Sequence, residues 1–560
     1  MKKSKTFTFI AVALIFILGL FLRLYRLNIN TPPLYADETG HYLYQALIND
    51  PSASIFIRAI RLILYGPLSY TWFLGLSTFA ARLPSAINGS LIGLSIFLFA
   101  KVISQKLKFK KWLPISLTVC LLSTVLPWSF MMSRLFSHIP LMLFFICLHL
   151  YLFIKSKTIK ADFISLIPLF IGTYYYMSMA AIAPFAILLV FVSMYKGSSL
   201  TQKKYLIGLS IFIGSLFLYI FITKFGIIDP RSRGLDLAIW NDVNVTADAN
   251  KYRGLARLSE RSIFSFNTDT EKIGNKLVFN YPISTINVFV NNYLSFFSPD
   301  FLFLKGDTIL RHSTSMVGQF FPFLLPFMVI GAFIFFKNAD KKLRSVFLVW
   351  ILVSPIPAAL TKDGANYLLR VITLTPFLTY FSGLGLVESI SWFKNKILRI
   401  VYIAILFFVG IYSTYYFYFG YFHVYPALAA QSYEYGFKEI SDFQTSNSGK
   451  MLIVWEDKYP TLYFCFWQKL STSVCDQEKI NTTDKINEII IFTPIDKLLF
   501  SLPQTESDIN SIIAKYKPKY VAIPEKYSIN FPNFLKLGKL VHTIKYPDQT
   551  IAFRIYQIIR

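Results

Sequence analysis

Two adjacent carboxylates, Asp37 and Glu38, stand just past the first apolar run of the chain, in Leu34-Tyr35-Ala36-Asp37-Glu38-Thr39-Gly40-His41-Tyr42. An acidic pair at the edge of an apolar segment is costly to hold there and is usually kept for chemistry. A positioned carboxylate can take a proton from a hydroxyl, orient a substrate or help to hold a metal. Read as plain structure, the same pair would cap the start of a helix by accepting backbone N–H bonds. His41, in the same stretch, is a candidate for substrate contact.

Cationic and polar groups recur at the ends of later apolar runs. Arg82 opens one in Ala81-Arg82-Leu83-Pro84-Ser85-Ala86, and Arg134 and His138 lie in Ser133-Arg134-Leu135-Phe136-Ser137-His138-Ile139-Pro140. Further on, Asp300 and Asp307 precede Arg311-His312 and Gly318, and Lys362, Asp363 and Gly364 precede Asn366-Tyr367-Leu368-Leu369-Arg370. Singly, each has a structural reading as a snorkelling cation or a turn-forming carboxylate. As a set they offer bidentate guanidinium contacts to an anion such as a phosphate.

The elements that carry these groups are membrane spans. Of 560 residues 54% are hydrophobic, 18% aromatic and only 15% charged, with a mean hydropathy of +0.50, outside the range of soluble domains. Apolar segments lie near 7–27, 84–103, 112–130, 138–154, 161–177, 180–195, 205–223, 319–336, 345–360, 370–390 and 400–420, which makes about eleven transmembrane helices. The net charge of +26 comes from short Lys and Arg clusters between these segments, which argues for bilayer orientation and against nucleic-acid binding. The clusters at 101–111, 155–160, 196–204, 337–344 and 394–399 all fall on the side of the N-terminus, which is therefore cytoplasmic. An odd number of spans puts everything after residue 420 outside the cell, in a multi-pass protein of the plasma membrane, the inner membrane in a Gram-negative cell. The first span follows Lys2, Lys3 and Lys5 without a small-residue cleavage site and reads as a retained anchor.

Pro67 to Ala80 is apolar but short for a span, so we read it as a juxtamembrane helix in the external loop 28–83. Two regions are polar enough to fold in water: the external loop 224–318 and residues 421–560. In the second, short apolar runs at 451–455, 488–492, 520–524 and 551–556 read as strands and 509–516 as a helix, which gives a small α/β domain. Cys120 and Cys147 lie in apolar spans, whereas Cys465 and Cys475 lie in the external domain, where a disulfide is permitted but not fixed by sequence. Neither structural-zinc spacing nor a phosphate-binding glycine loop nor a dinucleotide fingerprint occurs, so no nucleotide cofactor is expected.

Taken in order, the acidic pair after the first span, the Pro-Leu segment, Arg-Leu-Pro-Ser, the stretch Ser-Pro-Asp-Phe-Leu-Phe to Gly-Asp with Arg-His, and Pro-Ile-Pro-Ala-Ala-Leu-Thr resemble the GT-C glycosyltransferases. Within these the pattern is similar to the group of protein O-mannosyltransferases and the bacterial aminoarabinose transferase of lipid A. It covers about residues 5 to 430, so residues 1–420 form a GT-C-like transmembrane module and 421–560 a separate external domain that carries no site residue.

The resemblance implies transfer of a sugar from a polyprenyl-phosphate-linked donor, embedded among membrane lipids, to a lipid, protein or glycan acceptor at the outer face, with inversion. It implies Asp37 as the catalytic residue and Glu38 as a second acidic position that orients the acceptor or helps to bind a divalent metal ion. Members of that group often have His where Asn366-Tyr367 precedes Arg370, a departure that puts any role of that imidazole here in doubt. The chemistry of the leaving phosphate assigns Arg370, Lys362 and Arg134, with Arg82 and Arg311 behind them, to donor-phosphate binding. His41, His138, Asp300, Asp307 and His312 are left as substrate contacts. The rival readings are a lipid or glycan transporter or flippase and an oligosaccharide ligase. Transporters often show matched halves with interrupted helices, and no such repeat is present.

Overall fold

A computed structural model describes residues 2–29, 33–39, 45, 48–50, 52–176, 179, 182, 185–188, 237–259, 276–455, 461–470, 483–484, 489–492, 498–501, 503, 505–528 and 538–559. The chain divides into two compact units. The first comprises Met1–Arg23, Asn88–Ser133 and His138–Phe417, and the second Leu24–Ile87, Arg134–Ser137 and Tyr418–Arg560.

Among the described residues five helices are long and apolar enough to cross a membrane: Lys5–Leu24, Thr78–Lys106, Lys341–Ala359, Leu368–Trp392 and Lys396–Tyr433. Trp112–Val125 and Pro127–Arg134 form a sixth if the pair, bent by 47°, is one span. The bend has a local cause. Pro127 drives the preceding Leu126 out of helical conformation, to φ −67° and ψ 147°. Ile139–Lys155 and Pro322–Asn338 are shorter apolar helices, and Ile159–Tyr175 covers 161–175 of the expected segment at 161–177. The expected spans at 180–195 and 205–223 fall largely or wholly outside the described residues. The total of eleven therefore rests on the sequence.

In the first unit, helices Leu325–Asn338 and Thr375–Ser389 pack backbone to backbone. A Cβ on Gly331 would strike Phe381 O, and one on Gly385 would strike Phe327 O. Lipid supplies no hydrophobic force between helices, so such close approach and dense side-chain contact hold them together. Beside the glycine contact the Phe335 and Phe347 rings meet at 3.9 Å, with Phe377 edge-on to Phe347 at 4.8 Å. The high aromatic content thus serves helix packing.

The second unit corrects one expectation. Pro67 to Ala80 is not a juxtamembrane helix: only Thr71–Leu74 is helical before the long helix starts at Thr78, because Gly75, with φ of 78°, ends the turn. The amphipathic helix lies earlier, at Ile55–Tyr65, capped by the Ser54 side chain on Ile57 N. It is turned inside out for water. Phe56 and Ile63 are each 71% exposed, while Arg61 on the opposite side is ion-paired to Asp50 at 2.9 Å. A hydrogen bond from the Ser52 hydroxyl, and then Arg61, hold the Asp50 carboxyl down to about 2.

Residues after 436 form a small mixed sheet with helices on both faces, with more strands than were legible. Strands β1 (Met451–Val454), β2 (Thr483–Asp484), β3 (Ile489–Phe492), β4 (Leu498–Ser501), β5 (Tyr520–Pro524), β6 (Gly538–Lys545) and β7 (Ile551–Ile558) make one sheet of order β2-β3-β4-β1-β5-β7-β6. β1 pairs in parallel with β4 and β5, and the outer pairings are antiparallel. β1 is buried throughout because both faces are covered. Met451 and Ile453 pack with Phe437 and Ile440 of helix Phe437–Ser446 and with Tyr463 and Phe464 of helix Thr461–Trp467. Leu452 and Val454 pack on the other face against Ile509 and Ile512 of helix Glu506–Tyr516, which a Thr505/Asp508 capping box starts. Cys465 is in a disulfide, while Cys120 and Cys147 are free thiols. Cys475 lies outside the described residues.

Candidate functional site

In the second unit a single turn, Ala36–Thr39, carries the acidic pair. Glu38 is its third residue after Tyr35, and its carboxylate reaches back to Tyr35 N at 3.3 Å, as a capping residue does. The same carboxylate takes the Arg82 fork, Nε to Oε1 at 2.8 Å and Nη2 to Oε2 at 2.7 Å, and accepts Phe136 N on Oε1 at 2.9 Å. Both side chains of this pair are 0% exposed. Four bonds fill the roughly four lone-pair positions of a carboxylate. The turn is thereby tied to the start of helix Thr78–Lys106 and to the segment 134–137. Asp37 is the residue before Glu38 in this turn. Its side chain and the whole of His41 lie outside the described residues.

The turn has an apolar backing that sequence reasoning missed. Leu34, Ala81 and Phe466 form a buried cluster flanked by Leu76 and Trp467, so a helix of the C-terminal domain packs on the acidic segment. Cys465, the neighbour of Phe466, lies in the core of that domain. No motif in Thr461–Trp467 signals this role; the only hint is an aromatic-rich helix longer on apolar residues than its own sheet requires.

Arg134 organises the same unit and is 1% exposed. Its Nη1 donates to Tyr25 O at 2.7 Å, Nη2 to Arg26 O at 3.2 Å and Nε to the Tyr421 hydroxyl at 3.0 Å, with the Tyr421 and Phe422 rings 5.2 and 5.3 Å from its guanidinium carbon. Tyr433 lies against Arg82 at 5.9 Å and shares a 3.1 Å hydroxyl contact with Tyr425. Of the residues expected to meet a donor phosphate, Arg82 and Arg134 thus have their donors engaged by protein groups.

The first unit gathers a second set. Asp307 and His312 are buried, with Nδ1 2.9 Å from Oδ2, and Asp307 also accepts Ile309 N and Leu368 N, both at 2.7 Å. This carboxylate therefore joins the loop after residue 300 to the segment 366–368. The His312 ring stands edge-on to Tyr367 at 5.2 Å, and burial pushes the Tyr367 phenol up. Arg370 lies 4.2 Å over the same Tyr367 ring and donates to Thr361 Oγ1 at 2.5 Å and Asp363 Oδ1 at 2.8 Å. Asp363 is 46% exposed where Arg370 is 11% exposed, so the fork ends at the solvent-facing side of a largely covered cation. Lys362 is exposed beside it, its N–H bonded to Leu237 O. Asn366 takes the left-handed φ of 56° that Asn tolerates.

Asp300 pairs with exposed Lys305 at 3.1 Å on a π-helical turn, Arg311 is half-buried, and His138 stands half-buried at the start of helix Ile139–Lys155. Among the described residues no three of His, Cys, Asp and Glu converge as a metal set. Glu38, the expected ligand, has no acceptor position left for a metal, so its surroundings do not fit one.

No family model matches the chain, and no curated protein does. Solved structures do. The archaeal oligosaccharyltransferase AglB from Archaeoglobus fulgidus, in complex with an inhibitory peptide and a dolichol-phosphate, is similar at a TM-score of 0.47 and 13% identity, over 98% of this chain and 74% of that one. The Archaeoglobus fulgidus oligosaccharyltransferase tethered to an acceptor peptide containing the NVT sequon gives 0.47 and 12%, over 99% and 74%. ArnT from Cupriavidus metallidurans in the apo state gives 0.38 and 9%, over 99% and 98%. These neighbours are GT-C membrane glycosyltransferases.

Proposed function

We propose that this chain transfers a sugar from a polyprenyl-phosphate-linked donor to an acceptor hydroxyl at the outer face of the membrane. The observation that carries the reading is the Glu38–Arg82 clamp. A buried ion pair is a weak stabilising device, since desolvation offsets much of the attraction, and its best use is to fix a geometry. Here the geometry fixed is that of the turn bearing Asp37. The order of motifs along the sequence supports the same assignment.

In this reading Asp37 accepts the proton of the acceptor hydroxyl as that oxygen bonds to the anomeric carbon. The bond from the anomeric carbon to the phosphate oxygen breaks, its electron pair leaves with the lipid phosphate, and a single displacement inverts the configuration. Glu38 and Arg82 act as positioning residues, as does Arg134. Donor-phosphate binding falls to Arg370 and Lys362: Asp363 holds the Arg370 fork until a phosphate replaces it, an exchange of one oxyanion for another at a partly exposed site. Asp307 and His312 keep Tyr367 and Arg370 in register.

The test is Asp37→Asn, which keeps the shape and removes the base. Purified variant protein should transfer sugar from a polyprenyl-phosphate donor about 10²- to 10⁴-fold more slowly with an unchanged melting temperature. Transfer at the unmodified rate would remove Asp37 from the mechanism.

A further inference from the structure

A cavity of about 610 Å³ opens at the basic end of the first unit, between the helices that start at Lys2 and at Thr78. It has two kinds of wall. Along its length it is apolar, with Phe9 and Val12 on one helix and Leu98 on the other. At one end stand Lys5, Lys101 and Gln105, with Trp112 closing the rim. The lining holds two cations and no anion. Lys101 Nζ sits 5.7 Å over the Trp112 ring, which keeps the ammonium at the mouth.

The dimensions suit one leaflet. From Leu94 to Gln105 the second helix advances about 16 Å at about 1.5 Å per residue, close to half of a hydrocarbon core of about 30 Å. The two helices run with Lys5 and Gln105 at the same end, so the apolar part points toward the bilayer centre and the lysines toward its surface. Trp at that depth marks the headgroup level. Basic pockets between spans at the cytoplasmic side are where anionic lipid headgroups bind, and the Lys clusters put this end in the cytoplasm.

We infer that this cavity is a binding site for an anionic phospholipid of the cytoplasmic leaflet, one acyl chain lying along Phe9, Val12 and Leu98 and the phosphate headgroup meeting Lys5 and Lys101. The site uses the Leu94–Gln105 part of its second helix and none of the residues given the proposed chemistry, and it does not depend on that chemistry.

The test is thermal unfolding of the delipidated full chain in detergent, titrated with dioleoyl-phosphatidylglycerol, dioleoyl-phosphatidylcholine or glycerol phosphate. Phosphatidylglycerol should stabilise saturably, with a half-point roughly 30-fold below that of phosphatidylcholine, from about fivefold per lysine. Lys5→Gln with Lys101→Gln should abolish that preference, and Leu98→Trp, which fills the groove, should weaken both lipids. Equal response to the two lipids, an unchanged preference in the double lysine variant, or equal stabilisation by glycerol phosphate would each overturn the inference, the last by showing a phosphate site without a lipid. Should Leu98→Trp fail to fold, the lysine pair still decides, because those side chains reach the cavity mouth and not the helix core.

Discussion

Arg82 grips Glu38 with both prongs of its guanidinium, at 2.8 and 2.7 Å, inside a pair closed to solvent. Its energetics predict an asymmetric mutant cycle. Arg82→Ala leaves a carboxylate buried without its counter-charge and should cost about 3–5 kcal/mol, whereas Glu38→Leu with Arg82→Met should fold nearly as well as the wild type. Denaturation of the single and double variants checks this. The double variant should nevertheless transfer sugar poorly, because the turn with Asp37 has lost all four bonds of the Glu38 carboxylate.

The helix Thr461–Trp467 makes a second prediction. Phe466 is 1% exposed in the cluster with Leu34 and Ala81, while Ile509 is 0% exposed on the far face of the same sheet. Phe466→Ala should lower kcat with little change in the donor KM, as the support of the acidic turn loosens. Ile509→Ala should cost about 2–5 kcal/mol of stability and leave the folded protein active. Equal loss of turnover in both would mean that the domain acts only through global stability.

The contrast between those residues explains what was legible in the sequence. Strands β1, β5 and β7 were readable because each is a short β-branched or aromatic run bounded by turn residues. β6 was not, since Gly538–Lys545 alternates too weakly and lies at a sheet edge. The juxtamembrane helix was misplaced because Pro67–Ala80 is more apolar by composition, whereas Ile55–Tyr65 carries two arginines that lower its mean while sharpening its faces. In the site, Asp37 and Glu38 were found by position in the chain. The partners of the turn were not, since contacts from residue 38 to residues 82 and 136, and from residue 34 to residue 466, leave no local trace.

Arg370 separates a phosphate ligand from an orientation signal. Arg370→Ala should slow transfer by about 10²- to 10³-fold, the usual loss for one donor to developing charge, and Arg370→Lys should recover only part of it because an ammonium lacks the fork. Lys396→Ala, at the start of an exposed helix, should have no effect. Asp363→Ala should lower the donor KM by removing the competing carboxylate. A raised donor KM in Asp363→Ala would instead make the aspartate part of the donor site.

The helix Ile55–Tyr65 makes the last prediction. A helix none of whose residues is buried and whose apolar side chains stand in the open is unstable against water, with Ile55 at 81% exposure and Phe56 and Ile63 at 71%. In a chain with spans before and after it, a bilayer interface is the medium that reverses the sign of that burial, as for amphipathic helices that lie in the headgroup boundary. The polar anchor is durable: the Asp50 carboxyl, held down to about 2, stays ionised from neutral pH until close to that value, so its contribution is present above the ordinary carboxylate pKa and fades only as pH falls through about 2. A spin label at Ile63→Cys in proteoliposomes should therefore be relaxed more by oxygen, which concentrates in lipid, than by a water-soluble nickel chelate, and this at pH 4 as at pH 7. Asp442→Cys, exposed in the C-terminal domain, should show the reverse order. A label at residue 63 that favours nickel would place the helix in water, and one shielded from both relaxants would mean that protein covers it.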